Sequence, residues 1–224
     1  MHAVLLGGSG LIGSATAARL AARGCRVTVM TRKTPDHLPA GCAWRGADIV
    51  DGERLYEALA AEGPDLVVHL AAFLQFACEK DPAQAVRVNV DGTLNMLEAC
   101  RRLGVRRIVF ASSIAAYGER NDLMREDDPP SARIGLYGMT KRMLLIGMRA
   151  LAQQFGLKHL CLVPSTLFGP GYHTAGRQMH FIFDLMRKIL SGRRSGRPVV
   201  LWGDGTQRRE LVHVDDFVRI LLSL

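Results

Sequence analysis

Val4 to Gly13 read VLLGGSGLIG, a short apolar run that breaks into three spaced glycines, Gly7, Gly10 and Gly13. Val4, Leu5 and Leu6 have the character of a strand buried on both faces. Gly7 permits a tight turn, Gly10 lets backbone come close to a ligand, and Gly13 lets the following helix rest on the strand. Helical periodicity then runs from Leu11 to Ala22 and closes at Gly24. The first N–H groups of that helix, around Leu11 and Ile12, have no intrahelical partner and face the turn. A phosphate fits there, and a strand, glycine turn and helix in this order predict a dinucleotide pyrophosphate as the ligand.

Working outward, the strand Arg26 to Met30 completes a strand-helix-strand unit. Further helices are predicted at Asp51 to Ala61, Pro82 to Leu103 and Leu136 to Phe155. The matching strands are a third short one before Asp48, then Asp65 to Leu70, Arg106 to Ala111 and His159 to Val163. Apolar strands with short connections predict an α/β fold, a doubly wound Rossmann parallel sheet covered on both faces. After Pro164 the rhythm changes: glycines crowd Gly169 to Gly176, a basic amphipathic helix follows at Met179 to Leu190, and a strand is expected at Val199 to Trp202. Residues 1–163 are therefore expected to bind the cofactor and 164–224 to form a small, partial substrate-binding region.

A chain of 224 residues supports one good-sized core rather than two. No apolar run approaches the roughly 20 residues of a membrane helix, and the first residues lack a secretory pattern, so no membrane partner and a cytoplasmic location are expected. Five scattered cysteines without a CxxC pair predict free thiols and no metal site. The net charge of +8 concentrates in RKILSGRRSGR at Arg187 to Arg197, which has no interleaved aromatics. It fits an acidic small molecule or a solvated face better than nucleic acid.

The second strand ends in VTVMTRK, with Thr31 where an acid would contact the ribose hydroxyls of NAD. Arg32 can instead pair with a 2′-phosphate, which favours NADP while NAD stays possible; a solvated Arg32–Lys33 pair is the plainer alternative. Asp48 can accept from an adenine amino group and Ile49 can cover the ring. Leu70, Ala71 and Ala72 put small groups at a strand end where the cofactor passes, whereas His69 before them reads as a core histidine. The strongest constellation is Ser113, Tyr137 and Lys141, in FASSIAAYG and YGMTK. Tyr and Lys four apart share a helix face, so the ammonium is expected to lower the phenol pKa. Tyr137 then exchanges a proton with a substrate oxygen, Ser113 hydrogen-bonds that oxygen, and Lys141 also bonds the nicotinamide ribose.

In order along the chain, GGSGLIGS, ADI, HLAA, NVDGT, SSIAAYG, YGMTK, VPSTLFGPG and GDGTQRRELVHVDD resemble the blocks of the extended short-chain dehydrogenase/reductases of the NAD-dependent epimerase/dehydratase family. Members act on nucleotide sugars, and this is the partner the resemblance implies. It also implies that Asn89 supports the active-site lysine through a water or backbone relay and that Pro164 borders the nicotinamide. The last block is similar to GDP-fucose synthase, which implies Trp202, Arg209, His180 and Arg187 as substrate contacts. Thr166 stands where the family more often has Asn. Ile114 and Ala115 replace the Asp-Glu pair of dehydratases, and Ala115 also replaces the cysteine of the fucose synthase type. Chemistry at C4 needing only Ser, Tyr and Lys survives: epimerisation, or reduction of a 4-keto sugar. A reductase of a smaller carbonyl compound and a cofactor-binding fragment without turnover remain alternatives. The resemblance further implies a homodimer through the YxxxK helix, where Leu144, Leu145, Met148 and Leu151 form an apolar stripe that would equally serve an internal face.

Overall fold

The computed structural model describes residues 1–120, 122–172, 179–201 and 203–223. Six strands, β1 (His2–Leu6), β2 (Arg26–Thr31), β3 (Cys42–Gly46), β4 (Leu66–His69), β5 (Arg107–Ala111) and β6 (Lys158–Leu162), form one sheet in the order β3-β2-β1-β4-β5-β6. All five pairings are parallel. The order reverses beside β1, between β2 and β4, and a ligand crevice opens at the carboxyl ends there.

Alternation along each strand feeds two cores. Val4, Leu6, Val67, Ile108 and Phe110 point to one face, under helices α2 (Gly52–Glu62), α5 (Gly92–Leu103) and α6 (Leu136–Phe155). Ala3, Leu5, Val27, Val29 and Val68 point to the other, under α1 (Leu11–Ala22) and α8 (Val214–Leu221). Both faces being covered explains why these strands read as continuous apolar runs. At the amino ends, buried Glu62 ties three strands to α2. It accepts from Thr28 Oγ1 at 2.9 Å and pairs with Arg45 at 2.6 Å, Arg26 at 3.1 Å and His2 at 3.4 Å.

Three features differ from the sequence expectation. The predicted helix over 82–103 is interrupted: α4 (Pro82–Val86), capped by Asp81, passes through a π-helical stretch, Arg87–Asp91, before α5. A short helix, α3 (Gln75–Lys80), precedes it and is too brief to leave a periodic signal. No strand forms at 199–201, where Val200 and Leu201 are exposed; β7 (Thr166–Phe168) instead pairs in parallel with β8 (Leu211–His213). The stripe Leu144, Leu145, Met148 is buried in the core, so it is the internal face of α6, while Met139, Met143 and Ile146 are exposed on another face. The basic helix is α7 (Phe181–Ser195), with no buried residue. Among the described residues, all five cysteines are free, no metal-ligand cluster occurs and no helix is long and apolar enough to cross a membrane.

Candidate active site

A cleft of about 1120 Å³ runs along the carboxyl ends of the strands. Its first wall is the turn from β1 to α1. Gly7 holds φ at +77°, and a Cβ there would lie 2.5 Å from the Ala71 nitrogen, so only glycine lets this turn meet the end of β4. A Cβ on Gly13 would collide with the Gly8 backbone, whereas the space over Gly10 is open. Gly10 is also the N-cap of α1, with no side chain satisfying the helix's first N–H groups. Open space above unsatisfied donors is what a pyrophosphate requires, and this cradle fits a dinucleotide.

Leu11, Ile12, Arg32, Asp48, Ile49, Leu70, Ala71, Ala72, Ser113, Tyr137, Pro164 and His180 line the same cleft, as do Gly7, Gly10 and Gly13. Asp48 uses one oxygen to accept from Val50 N at 3.1 Å. Thr31 Oγ1 accepts from the Trp44 indole at 2.9 Å and donates to Lys33 O at 2.7 Å, so the bend carrying Arg32 is held by the β3 edge.

Ser113 follows the end of β5 by two residues and caps the 3₁₀ turn Ile114–Tyr117, accepting from Ala115 N at 3.2 Å. Tyr137 lies in the first turn of α6, its phenol near enough to Ser113 for that hydroxyl to favour the phenolate. The two meet because residue 138 is glycine: a Cβ there would run into the Ala115 carbonyl. Lys141 is 4% exposed and donates to Ala111 O at 2.8 Å, with its Nζ 4.9 Å from the Phe110 ring centre and 5.9 Å from that of Tyr137. Burial pulls the Lys141 pKa down to about 8. The expected lowering of the phenol is not found: burial raises the Tyr137 pKa, the Ser113 hydrogen bond opposing it only in part. Desolvation disfavours the phenolate, and the Lys141 ammonium is directed at the Ala111 carbonyl.

Asn89 lies outside the cleft lining. Its Oδ1 accepts from Phe73 N at 2.7 Å, and its Nδ2 donates to Phe73 O at 3.1 Å and to Thr140 Oγ1 at 3.0 Å. It therefore clasps the loop after β4. His69 is a core histidine as expected, 1% exposed, bonded to Thr93 Oγ1 at 2.8 Å, with burial taking its pKa to about 3.

Of the residues implied for substrate, His180 reaches the cleft beside Tyr172, whose hydroxyl accepts its backbone N–H at 3.0 Å. Thr166, Arg187 and Arg209 are not brought to it: Thr166 pairs with Leu211 in the small sheet, Arg187 pairs with Asp184 one turn back on α7, and Arg209 is exposed. Trp202 lies outside the described residues. Sequence reading missed Phe73 and Gln75 at the start of α3, Ser165 and Tyr172, all on the cleft wall. Their loops and short helix carry no periodicity, and only proximity to HLAA and VPSTLFGPG marked them.

The sequence matches the NAD dependent epimerase/dehydratase family over residues 3–224. The chain belongs to that family. It is 30% identical to a UDP-glucose 4-epimerase of Lacticaseibacillus casei, covering 96% of this chain and 69% of that protein. The Rhizobium meliloti UDP-glucose 4-epimerase is 31% identical over 95% of this chain and 68% of its own length. Among solved structures, the Thermotoga maritima UDP-glucose 4-epimerase with UDP-glucose superimposes with a TM-score of 0.89 at 28% identity, over 100% of this chain and 73% of that one. The Thermus thermophilus enzyme, solved with NAD, gives 0.85 at 29% identity, covering 100% and 74%. This epimerase-family chain is thus an NAD-dependent enzyme of the extended short-chain dehydrogenase/reductase type, with a fold shared along its whole length.

Proposed function

We propose that this chain interconverts the C4 epimers of a UDP-hexose. The carrying observation is that Ser113 and Tyr137 face the same cleft as the open, unsatisfied start of α1. Ile114 and Ala115, beside Ser113, offer no carboxylate or thiol for elimination or for epimerisation next to a ketone. A nicotinamide dinucleotide held along β1, β2 and β4 supplies a reversible hydride acceptor. Tyr137 takes the proton of the C4 hydroxyl and returns it to the ketone oxygen, and Ser113 hydrogen-bonds that oxygen. Lys141 places a positive charge behind the phenol, and residues 164–224 with His180 supply the sugar-nucleotide side.

Arg32 on the rim, with no carboxylate at Thr31, favours NADP. The exposed Met139, Met143 and Ile146 on α6, with Leu94 on α5, support a homodimer through these helices. The free thiols suit a reducing, cytoplasmic compartment. Calorimetric titration with NADPH and NADH, followed by a UDP-galactose to UDP-glucose assay of wild type and Tyr137→Phe, tests the reading. NADPH should bind about tenfold tighter than NADH, the worth of one charge-assisted hydrogen bond. Tyr137→Phe should bind cofactor normally and lose turnover. Equal NADH binding would remove the NADP preference alone; an active Tyr137→Phe would remove the mechanism.

A further inference from the structure

Thr140, between the catalytic Tyr137 and Lys141, is fully buried and away from the cleft lining. Its hydroxyl has two partners at once: Asn89 Nδ2 donates to it at 3.0 Å, and it donates to Tyr137 O at 2.8 Å. The directions are fixed by chemistry. An amide nitrogen only donates, and a hydroxyl has one hydrogen, which leaves the Tyr137 carbonyl as the only acceptor for it. Asn89 in turn grips both backbone groups of Phe73, at 2.7 and 3.1 Å, in the loop that continues Ala71 and Ala72 along the cleft floor. A second chain anchors Asn89 from behind, since Thr93 Oγ1 donates to Asn89 O at 2.7 Å and His69 Nε2 bonds Thr93 Oγ1 at 2.8 Å. The π-helical stretch at Arg87–Asp91 is what inserts Asn89 between the β4 loop and α6.

We infer that Thr140 is a positioning residue for the reaction: its hydroxyl fixes the helical turn carrying Tyr137 at a set spacing from the β4 loop that floors the cofactor cleft. This rests on Tyr137 being the proton-exchanging group. The hydroxyl is required and the methyl is not, because both bonds run through oxygen. Holding a donor within a fraction of an ångström of its place governs turnover more than binding.

The test compares Thr140→Val, which keeps shape and removes both bonds, with Thr140→Ser, which keeps both, in the full chain. UDP-galactose conversion, calorimetric NAD(P)H affinity and thermal midpoint are measured for each, beside Tyr137→Phe. Thr140→Val should lose about 10- to 100-fold in kcat while cofactor Kd and KM stay within about threefold, and Thr140→Ser should recover most of kcat. Wild-type kcat in Thr140→Val, or a kcat loss that follows the thermal midpoint and is not recovered by Ser, would overturn the inference. If Thr140→Val does not fold, Thr140→Cys, similar in volume but with a weak S–H donor, carries the same comparison. An active Tyr137→Phe would mean the underlying mechanism is wrong; an inactive one with fully active Thr140→Val would mean only the positioning role is.

Discussion

Replacing Lys141 by methionine should make the protein more stable and inactive. Lys141 is 4% exposed, and burial holds its pKa at about 8 against 10.5 for a free side chain. That displacement corresponds to about 3 kcal/mol of folding free energy given up at neutral pH to keep the ammonium charged inside the protein. The unfolded chain binds more protons than the folded one between about pH 8 and 10.5, so the wild type gains stability as pH rises through this window and is penalised in full below it. Methionine has the same unbranched reach and no charge. It forgoes the hydrogen bond to Ala111 O, leaving a net gain of about 1–3 kcal/mol at pH 7. The groups around the ammonium do not obscure the effect. Burial raises the thiols of Cys78 and Cys161, the latter to about 11, and the Tyr137 phenol also lies above its usual value, while His69 titrates near 3. Urea unfolding of both proteins at pH 7 and 9.5 is the assay. A variant no more stable than wild type at pH 7, or a difference that does not shrink at pH 9.5, would refute the argument that lysine burial is a cost borne for catalysis.

Glu62→Gln should lose about 2 kcal/mol at pH 7, since it removes charge-assisted bonds from Arg45 and Thr28 to a carboxylate only 6% exposed. Burial acts to raise the Glu62 pKa, but those hydrogen bonds outweigh it and the net shift is downward. Its contribution is present above the unfolded carboxylate pKa and fades as pH falls through the lowered folded one, so urea midpoints of variant and wild type should converge as the solution is acidified below the usual carboxylate range; a gap that stays constant with pH would contradict this. Gly138→Ala should push the start of α6 off the Ala115 carbonyl and separate Tyr137 from Ser113. The expected result is a kcat lower by about 10- to 100-fold with NAD(P)H affinity kept, and unimpaired turnover would show that the close approach is not needed.

The sheet, its covering helices and the cofactor half of the site were legible in the chain because they rest on local physics. Apolar runs that bury both faces, glycines where a Cβ has no room, and a Tyr and Lys one helical turn apart all leave marks at fixed spacing. Gly7, Gly13, Asp48, Ala71 and Tyr137 line one cleft in the structure. What depended on several segments at once was decided only by the tertiary structure. The phenol pKa is raised because burial by neighbouring elements exceeds the help of Ser113. Asn89 clasps the Phe73 loop and Thr140 from within a π-helical stretch, a placement that depends on three separate segments. The stripe after Lys141 faces the core, and Arg187 faces Asp184, because the packing of a helix, not its periodicity, selects which face is inside. Sequence spacing states which groups can share a surface; desolvation and hydrogen-bond partners, which decide their chemistry, are fixed only when distant segments close around them.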